Sequence, residues 1–328
     1  MNNYQQAAIL LRQHDNYVII SHDFPDADGL GAAYALHTLL DAMDKTVSIC
    51  IPQSGIERYG FIDKRKIFRC TPQLMNPNTV IPIIVDTNER GNLDPYAECL
   101  LESATSYIVF DHHEIRAEQR SGKEVICSLI DTDCAATCEI IFRLSETLEL
   151  QLAPDAADAL FLGIVFDTGS FSYQKTSTNT FKTAAKLLEY GANPAEIAEM
   201  VTQNRTVQAL QLRQQVFSTL ELRHSNTIAI QTMTRAMLEQ TGAFYEDAED
   251  FINTPLECRT VELSVLFKEN DQGVMRCSLR SKHHLNVAQV ARKYGGGGHK
   301  RAAGFLCKKP YPVFREQILD ELTTMLEM

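Results

Sequence analysis

Four short segments of this sequence place carboxylates or imidazoles directly after an apolar stretch. They are Ser21-His22-Asp23-Phe24-Pro25-Asp26-Ala27-Asp28-Gly29, Val85-Asp86-Thr87, Phe110-Asp111-His112-His113 and Phe166-Asp167-Thr168-Gly169. Carboxylates brought together repel and raise one another's pKa, so such a cluster persists only where cations neutralise it. The donors suffice for two divalent ions and include no thiolate, which suits Mn2+ first, then Mg2+ or another hard to borderline cation, rather than a structural zinc. Two ions about 3.5–4 Å apart lower the pKa of a shared water and clamp both oxygens of an in-line displacement at phosphorus. Phosphate ester chemistry is therefore the economical expectation. Each segment alone has a plainer explanation. An aspartate at a strand end is commonly a turn residue or helix cap, Asp26 and Asp28 before a helix complement its dipole, and His22 by itself reads equally well as a buried, satisfied histidine. Asp111 is expected to orient a neighbouring imidazole rather than touch a cation. The conjunction of all four, each at an element boundary, points to a metal centre.

The elements that must position these residues are legible as apolar runs. Residues 17–21, 47–51, 81–85 and 107–110 read as buried strands, and the helical patterns between them indicate parallel strands joined by crossover helices. Ligand sites in an open parallel sheet lie outside the carboxyl ends of the strands, so the three strand-following segments should converge. The fourth is delivered by a helix starting at Pro154 and running to about Phe166. A further helix is expected over 30–43. A Gly-Ala-Asn-Pro breaker at 191–194 closes the region, and 195–222 reads as a connecting helix pair. Beyond it come a strand at 227–231, a hairpin of 261–268 with 274–281, and a helix over 287–294 capped by Asn286, followed by four glycines. The expected architecture is α/β: a doubly wound parallel-sheet domain over residues 1–190, a helical linker over 191–225, and a smaller α/β domain with a mixed sheet over 226–328.

With 328 residues and 45% hydrophobic content, two domains are the natural expectation. A formal net charge of -11 disfavours wrapping of long nucleic acid. Between Arg276 and Lys309, however, the basic residues meet no Asp or Glu, which suggests a local anion site. Nine cysteines, odd in number and without a Cys-x-x-Cys pair, read as reduced thiols rather than a disulfide framework or zinc ribbon. The first residues lack the pattern of a signal peptide and no apolar run is long enough to cross a bilayer, so a cytoplasmic protein without membrane contact is expected.

These motifs resemble those of the DHH phosphoesterase superfamily, named for the triplet found here as Asp111-His112-His113. The match includes SHDFPDADGLG at 21–31, the lone Asp86, and DTGSF at 167–171. The family more often has Pro-Asp-Gly-Asp-Ala where this chain has Pro-Asp-Ala-Asp-Gly, an exchange that removes no donor. Residues 135–139 resemble the family's small-residue stretch, with Ala136 where a hydroxyl is common. The resemblance implies that His22, Asp26 and Asp86 hold one cation, and that Asp28, Asp86, His112 and Asp167 hold the other, with Asp86 bridging. It also implies that His113 faces the substrate phosphate as donor or acid.

The glycine run 295–304 resembles the Gly-Gly-Gly-His-x-x-Ala-Ala-Gly signature of the DHH-associated C-terminal domain, preceded by Ser278-Leu279-Arg280-Ser281. Glycines let a backbone approach phosphate closely, although a flexible connector is the plain alternative. By the resemblance, Arg280, Ser281, Gly296, Gly297, Gly298 and His299 grip a terminal phosphate or nucleotide, with the active site in a cleft between the domains. Lys282, His283, His284, Lys300 and Arg301 are expected to be solvated surface.

The whole chain is most similar to the nanoRNase/pAp phosphatase group. Members release mononucleotides from very short oligonucleotides or linear dinucleotides, and some remove the 3′-phosphate of adenosine bisphosphate (pAp). The same residues would serve a cyclic-dinucleotide (c-di-AMP type) phosphodiesterase. A RecJ-like exonuclease fits the acidic balance less well, a pyrophosphatase or exopolyphosphatase needs no base-accommodating cleft, and a non-catalytic nucleotide sensor usually lacks some of the donors present here. Base preference, cleavage polarity, the physiological metal and the oligomeric state stay open, a homodimer included.

Overall fold

A computed structural model describes residues 3–52, 59–69, 80–114, 124–203, 205–283, 285–307 and 311–327. The chain divides into two compact units, Met1–Val201 and Thr202–Met328.

The first unit is built on a six-stranded sheet in the order β3-β2-β1-β4-β5-β6. Its strands are β1 (Asn16–Ile20), β2 (Thr46–Cys50), β3 (Phe68–Arg69), β4 (Ile81–Val85), β5 (Ser106–Asp111) and β6 (Glu124–Ile130), all paired parallel. Side chains alternate across a strand, and here both faces are apolar. Tyr17, Ile19, Ile83, Val85, Ile108 and Phe110 enter one core, while Val18, Ile20, Ile84 and Val109 enter the other. A sheet buried on both sides produces continuous β-branched runs, which is why β1 and β4 are plain in the sequence. The second core is closed by Ala97, Leu100 and Leu101 of a helix over Pro95–Ser103. Strand order reverses between β1 and β4, so the crevice at their carboxyl ends is the switch point where doubly wound sheets bind ligands.

Two nearly fully buried helices lie on the first face: α2 (Ala27–Asp41) and α5 (Pro154–Asp167), with α1 (Asn3–Gln13), α3 (Pro95–Ser103) and α4 (Thr137–Leu148) completing the series to that point. A Cβ on Gly31 of α2 would overlap the Ala159 carbonyl of α5, and one on Gly163 of α5 would meet Asp28 Oδ1 at 2.9 Å. Glycine at these two positions lets the helices approach closely enough to bring Asp28 and Asp167 to one place. Helices α6 (Thr178–Glu189) and α7 (Pro194–Thr202) complete the unit.

The second unit carries a mixed sheet in the order β11-β12-β10-β9-β8-β7. It comprises β7 (Glu221–Arg223), β8 (Ile228–Met233), β9 (Leu263–Glu269), β10 (Met275–Ser281), β11 (Gly297–His299) and β12 (Ala302–Leu306). Only β8 and β9 pair parallel. One face, with Val265, Phe267, Cys277 and Leu279, packs with residues of α10 (Val287–Lys293) and α11 (Tyr311–Glu327). The other places Met233 and Leu266 against Leu212 and Val216 of α8 (Val207–Ser218), and α9 (Arg235–Thr241) follows β8.

Two expectations need correction. The four glycines do not form a loop throughout, because Gly297–His299 is strand β11, antiparallel to β12. Asn286 stands at the N-cap position of α10 but its side chain makes no capping bond, and its Oδ1 is buried without a partner. Every cysteine among the described residues is free. Among those residues no helix is long and apolar enough to cross a membrane. Cys70, His284, Lys308 and Lys309 lie outside the described residues.

Candidate metal centre

The segments after β1, β4 and β5 and the end of α5 meet at the switch point. Asp26 is the N-cap of α2, its Oδ1 accepting the amides of Asp28 at 2.9 Å and Gly29 at 3.3 Å. Capping occupies one of its oxygens, and its carboxylate still joins His22 and Asp86 in a group whose donor atoms lie within 4.8 Å of one another. His22 Nε2 stands 3.5 Å from Asp86 Oδ2. Asp28, His112 and Asp167 form a second group with the same spread, in which His112 Nε2 lies 4.0 Å from Asp28 Oδ2 and 3.1 Å from Asp167 Oδ2. Asp86 Oδ1 lies 3.7 Å from His112 Nε2 and 3.9 Å from His113 Nδ1, linking the two groups, and Asp86, His112 and His113 form a third group of the same spread.

Asp28 and Asp86 are held by the start of α4. The amides of Thr137 and Cys138 donate to Asp28 at 2.6 and 2.9 Å, and Thr137 Oγ1 donates to Asp86 Oδ1 at 3.0 Å. A helix N-terminus favours negative charge, so α4 orients both carboxylates and partly offsets their repulsion. Asp86 itself sits in the left-handed region, φ 63°, a conformation uncommon outside glycine and tolerated best by Asp and Asn.

The helix does not compensate fully. Burial, followed by the charges of neighbouring carboxylates, pushes Asp86 well above the usual carboxylate range and raises Asp28 and Asp167 too. Burial pushes His112 down to about 4 and lowers His22. His112 Nε2 is buried and makes no hydrogen bond, although carboxylate oxygens surround it. Acids that resist ionising and imidazoles that resist protonation, with their lone pairs converging, are a donor set that a divalent cation satisfies. Carboxylate oxygens and imidazole nitrogens without sulfur fit a hard to borderline ion.

His113 is held differently. Its Nδ1 lies 2.7 Å from Asp111 Oδ1. Burial alone would lower its pKa, but the Asp111 bond and charge raise it instead. Burial alone would raise Asp111, and the hydrogen bond and charge of His113 bring it down. Asn88 Nδ2 donates to Asp111 Oδ2 at 2.6 Å, fixing the carboxylate. Asp111 thereby orients the His113 ring beside the donor cluster and favours its protonated form. Thr137, Cys138, Asn88 and Lys175, whose Nζ lies 3.4 Å from His112 Nδ1, are the local groups that sequence reasoning did not single out as site residues. Residues 135–139 did draw notice as a small-residue stretch, but amide donors carry no side-chain signal.

In the second unit, Arg280 pairs across β10 and β12 with Ala302, and Ala302 pairs in turn with His299 on β11, so Arg280 and His299 share one row of the sheet. Arg280 Nη1 donates to the Leu279 carbonyl at 3.2 Å. Ser281 is buried and its hydroxyl donates to the Leu285 carbonyl at 2.9 Å. A Cβ on Gly296 would overlap the Gly304 carbonyl, and one on Gly298, φ 129°, would overlap that of Ala302. Strand packing by itself thus requires glycine at 296 and 298, while Gly297 lies opposite Gly304.

Comparison with known proteins covers both units. Residues 16–164 match the model of the DHH family, N-terminal domain, and 226–328 match that of the DHHA1 domain. The chain is 27% identical over 313 residues to the bifunctional oligoribonuclease and PAP phosphatase NrnA of Thermus thermophilus, covering 93% of this chain and 90% of that protein. It is 27% identical over 307 residues to the cyclic-di-AMP phosphodiesterase PdeA of Listeria monocytogenes, covering 88% of this chain and 44% of that protein. An exopolyphosphatase-related protein from Bacteroides fragilis, solved by crystallography, superposes with a TM-score of 0.82 at 22% identity, covering 99% of this chain and 98% of that one. The fold is shared along the whole length.

Proposed function

The chain belongs to the DHH family and is a phosphoesterase, and from that premise we propose that it hydrolyses very short oligonucleotides and linear dinucleotides to mononucleotides and removes the 3′-phosphate of pAp. The observation that carries the reading is the convergence of His22, Asp26, Asp28, Asp86, His112 and Asp167 into two donor groups joined through Asp86. Near end-to-end similarity to NrnA supports the choice of substrate.

In this reading His22, Asp26 and Asp86 hold one divalent cation and Asp28, Asp86, His112 and Asp167 the other, Mn2+ being the best match to the mixed donors. The bound cations supply Lewis acidity toward a phosphoryl oxygen and lower the pKa of water. The side chains do the rest. Thr137 and the start of α4 hold the Asp86 and Asp28 carboxylates in place. His113, oriented by Asp111, donates to the phosphoryl group or to the departing ribose oxygen and stabilises the charge that develops there. Arg280, Ser281, Gly296, Gly297, Gly298 and His299 are assigned to the grip on a terminal phosphate, Arg280 as a charged donor and the glycine strand through its amides.

The test is a substrate panel with Mn2+: pAp, the linear dinucleotide pApA, cyclic di-AMP, a longer single strand and pyrophosphate, ranked by initial rate. Release of AMP from pApA and pAp ahead of the rest supports the reading. Similarity to PdeA favours a second reading, turnover of cyclic di-AMP, and preferential opening of the cyclic dinucleotide would establish it instead. Preference for pyrophosphate or the long strand would overturn both.

A further inference from the structure

Lys175 has no part in the mechanism above, yet its ammonium stands at the metal centre. It is delivered by a locked turn that begins at Asp167. Thr168 Oγ1 donates to the Ile164 carbonyl at 2.6 Å and accepts the Phe171 amide at 2.9 Å, and the amides of Ser172 and Tyr173 both reach the Thr168 carbonyl at 2.9 Å. Gly169, Ser170 and Phe171 are all left-handed, with φ of 54°, 56° and 64°. A side chain at 169 would collide with the Tyr173 ring. Such a run is costly for the two non-glycine residues and persists only where its surroundings impose it. Phe171 supplies that constraint by stacking on Phe181 at 5.1 Å and meeting Phe161 edge-on at 6.2 Å. Immediately after Lys175, Ser177 caps α6 through a reciprocal capping box with Thr180.

Held between the turn and the capped helix, the exposed Lys175 side chain places Nζ 3.4 Å from His112 Nδ1 and 3.4 Å from the His112 carbonyl oxygen. Both contacts are longer than a strong N–H···O bond. Among the described residues no ion pair forms between Lys175 and a carboxylate. His112 turns Nε2 toward Asp28, Asp86 and Asp167. A histidine that offers Nε2 to a cation carries its hydrogen on Nδ1, and an N–H cannot accept from an ammonium. Lys175 therefore cannot hold the His112 ring through Nδ1 in the working enzyme, and of its two contacts only the long one to the His112 carbonyl remains. Charge leads to the same place: two divalent cations would offset the ligand carboxylates Asp26, Asp28, Asp86 and Asp167, and Asp111 Oδ1 already lies 2.7 Å from His113 Nδ1. Lys175 would then remain a positive charge with no carboxylate partner among the described residues.

We infer that Lys175 binds a non-bridging oxygen of the substrate phosphate, making it a phosphate ligand supplied by the metal-bearing unit. The inference rests on the phosphoesterase reading and adds to it a residue that sets affinity for the phosphoryl group.

The test uses the full-length chain loaded with Mn2+, and inorganic phosphate as the binding probe in calorimetry. Lys175→Gln should weaken phosphate binding and raise KM for pApA by roughly tenfold, the effect of losing one charge-assisted hydrogen bond, while Mn2+ stoichiometry and Tm stay as in wild type. Lys175→Arg should restore most of the affinity. Wild-type phosphate affinity in Lys175→Gln, absence of phosphate binding in the wild type, or loss of Mn2+ together with phosphate would each overturn the assignment. Phosphate binding that depends on Lys175, in a protein that turns over neither pApA nor pAp, would keep the lysine and sink the proposed substrates. Turnover with binding indifferent to Lys175 would do the reverse.

Discussion

Asp86 shows how one residue can be both the strongest element of the site and its main source of strain. It is buried, left-handed, and surrounded by other carboxylates. Asp86→Asn keeps the shape and tolerates the same φ, but removes the charge shared by the two donor groups. It should abolish turnover in a rate assay while leaving the chelator-treated protein folded, as an undiminished Tm would report. Thr137→Val takes away the hydroxyl that holds Asp86 Oδ1. Loss of such a supporting bond should lower activity or Mn2+ affinity roughly 10–100-fold, and an unchanged kcat/KM and metal isotherm would refute that role. At this scale the acidic and imidazole residues were readable because their types recur at element ends. Thr137, Asn88 and Lys175 were not, because each owes its place to chain folding that brings it to the cluster from a distance in sequence.

The elements deliver these side chains, and glycine marks where delivery is tightest. Gly31→Ala would drive a methyl into the Ala159 backbone carbonyl, which cannot rotate away as a side chain can. Overpacking of this kind should destabilise the first unit by about 1–3 kcal/mol in chemical denaturation. Gly91→Ala, at a glycine with open space around it, is the matched control and should meet no clash. The buried strands β1 and β4 were legible as uninterrupted apolar runs, and the β9–β10 hairpin by its alternation and turn. Short β3 and edge strand β6 lacked the fully buried run used to find strands. Helices α1, α3, α4, α6, α9 and α11 went unread as well. The glycine run was read as a phosphate loop through its resemblance to the family signature; part of it is strand, and packing against β12 by itself requires glycine at 296 and 298.

For the whole molecule, the metal centre makes stability depend on both protons and cations. Asp28, Asp86 and Asp167 have folded-state pKa values raised above the unfolded aspartate value of 3.8, Asp167 to about 8, chiefly through burial. These three carboxyls bind more protons folded than unfolded, so their contribution to metal-free stability falls as pH rises toward 8, while His22 and His112, lowered by burial, oppose it below the ordinary imidazole value of 6.5. Chelated protein should therefore gain Tm on acidification from about pH 8 to about pH 6.5, above the range in which the buried imidazoles titrate. Mn2+-loaded protein should show the opposite slope, because protons then displace the cations. Thermal melts across this range, with and without chelator, check both signs. A change of regime, from buried strands with crossover helices to a hairpin-bearing sheet, was the basis for expecting two domains about a linker at 191–225, and the two compact units meet in sequence within that stretch, at Val201 and Thr202. The basic stretch of the second unit was equally plain, but its geometry was not, since which residues share a row depends on strand register.

The most direct measurement is a Mn2+ titration of chelator-stripped protein at neutral pH, followed by calorimetry and electron paramagnetic resonance, in the wild type and in Asp86→Asn. Two ions per chain with a coupled signal, and loss of that coupling in the variant, are the predicted result. No occupancy in the wild type, or a magnetically isolated ion indifferent to Asp86, would contradict the account.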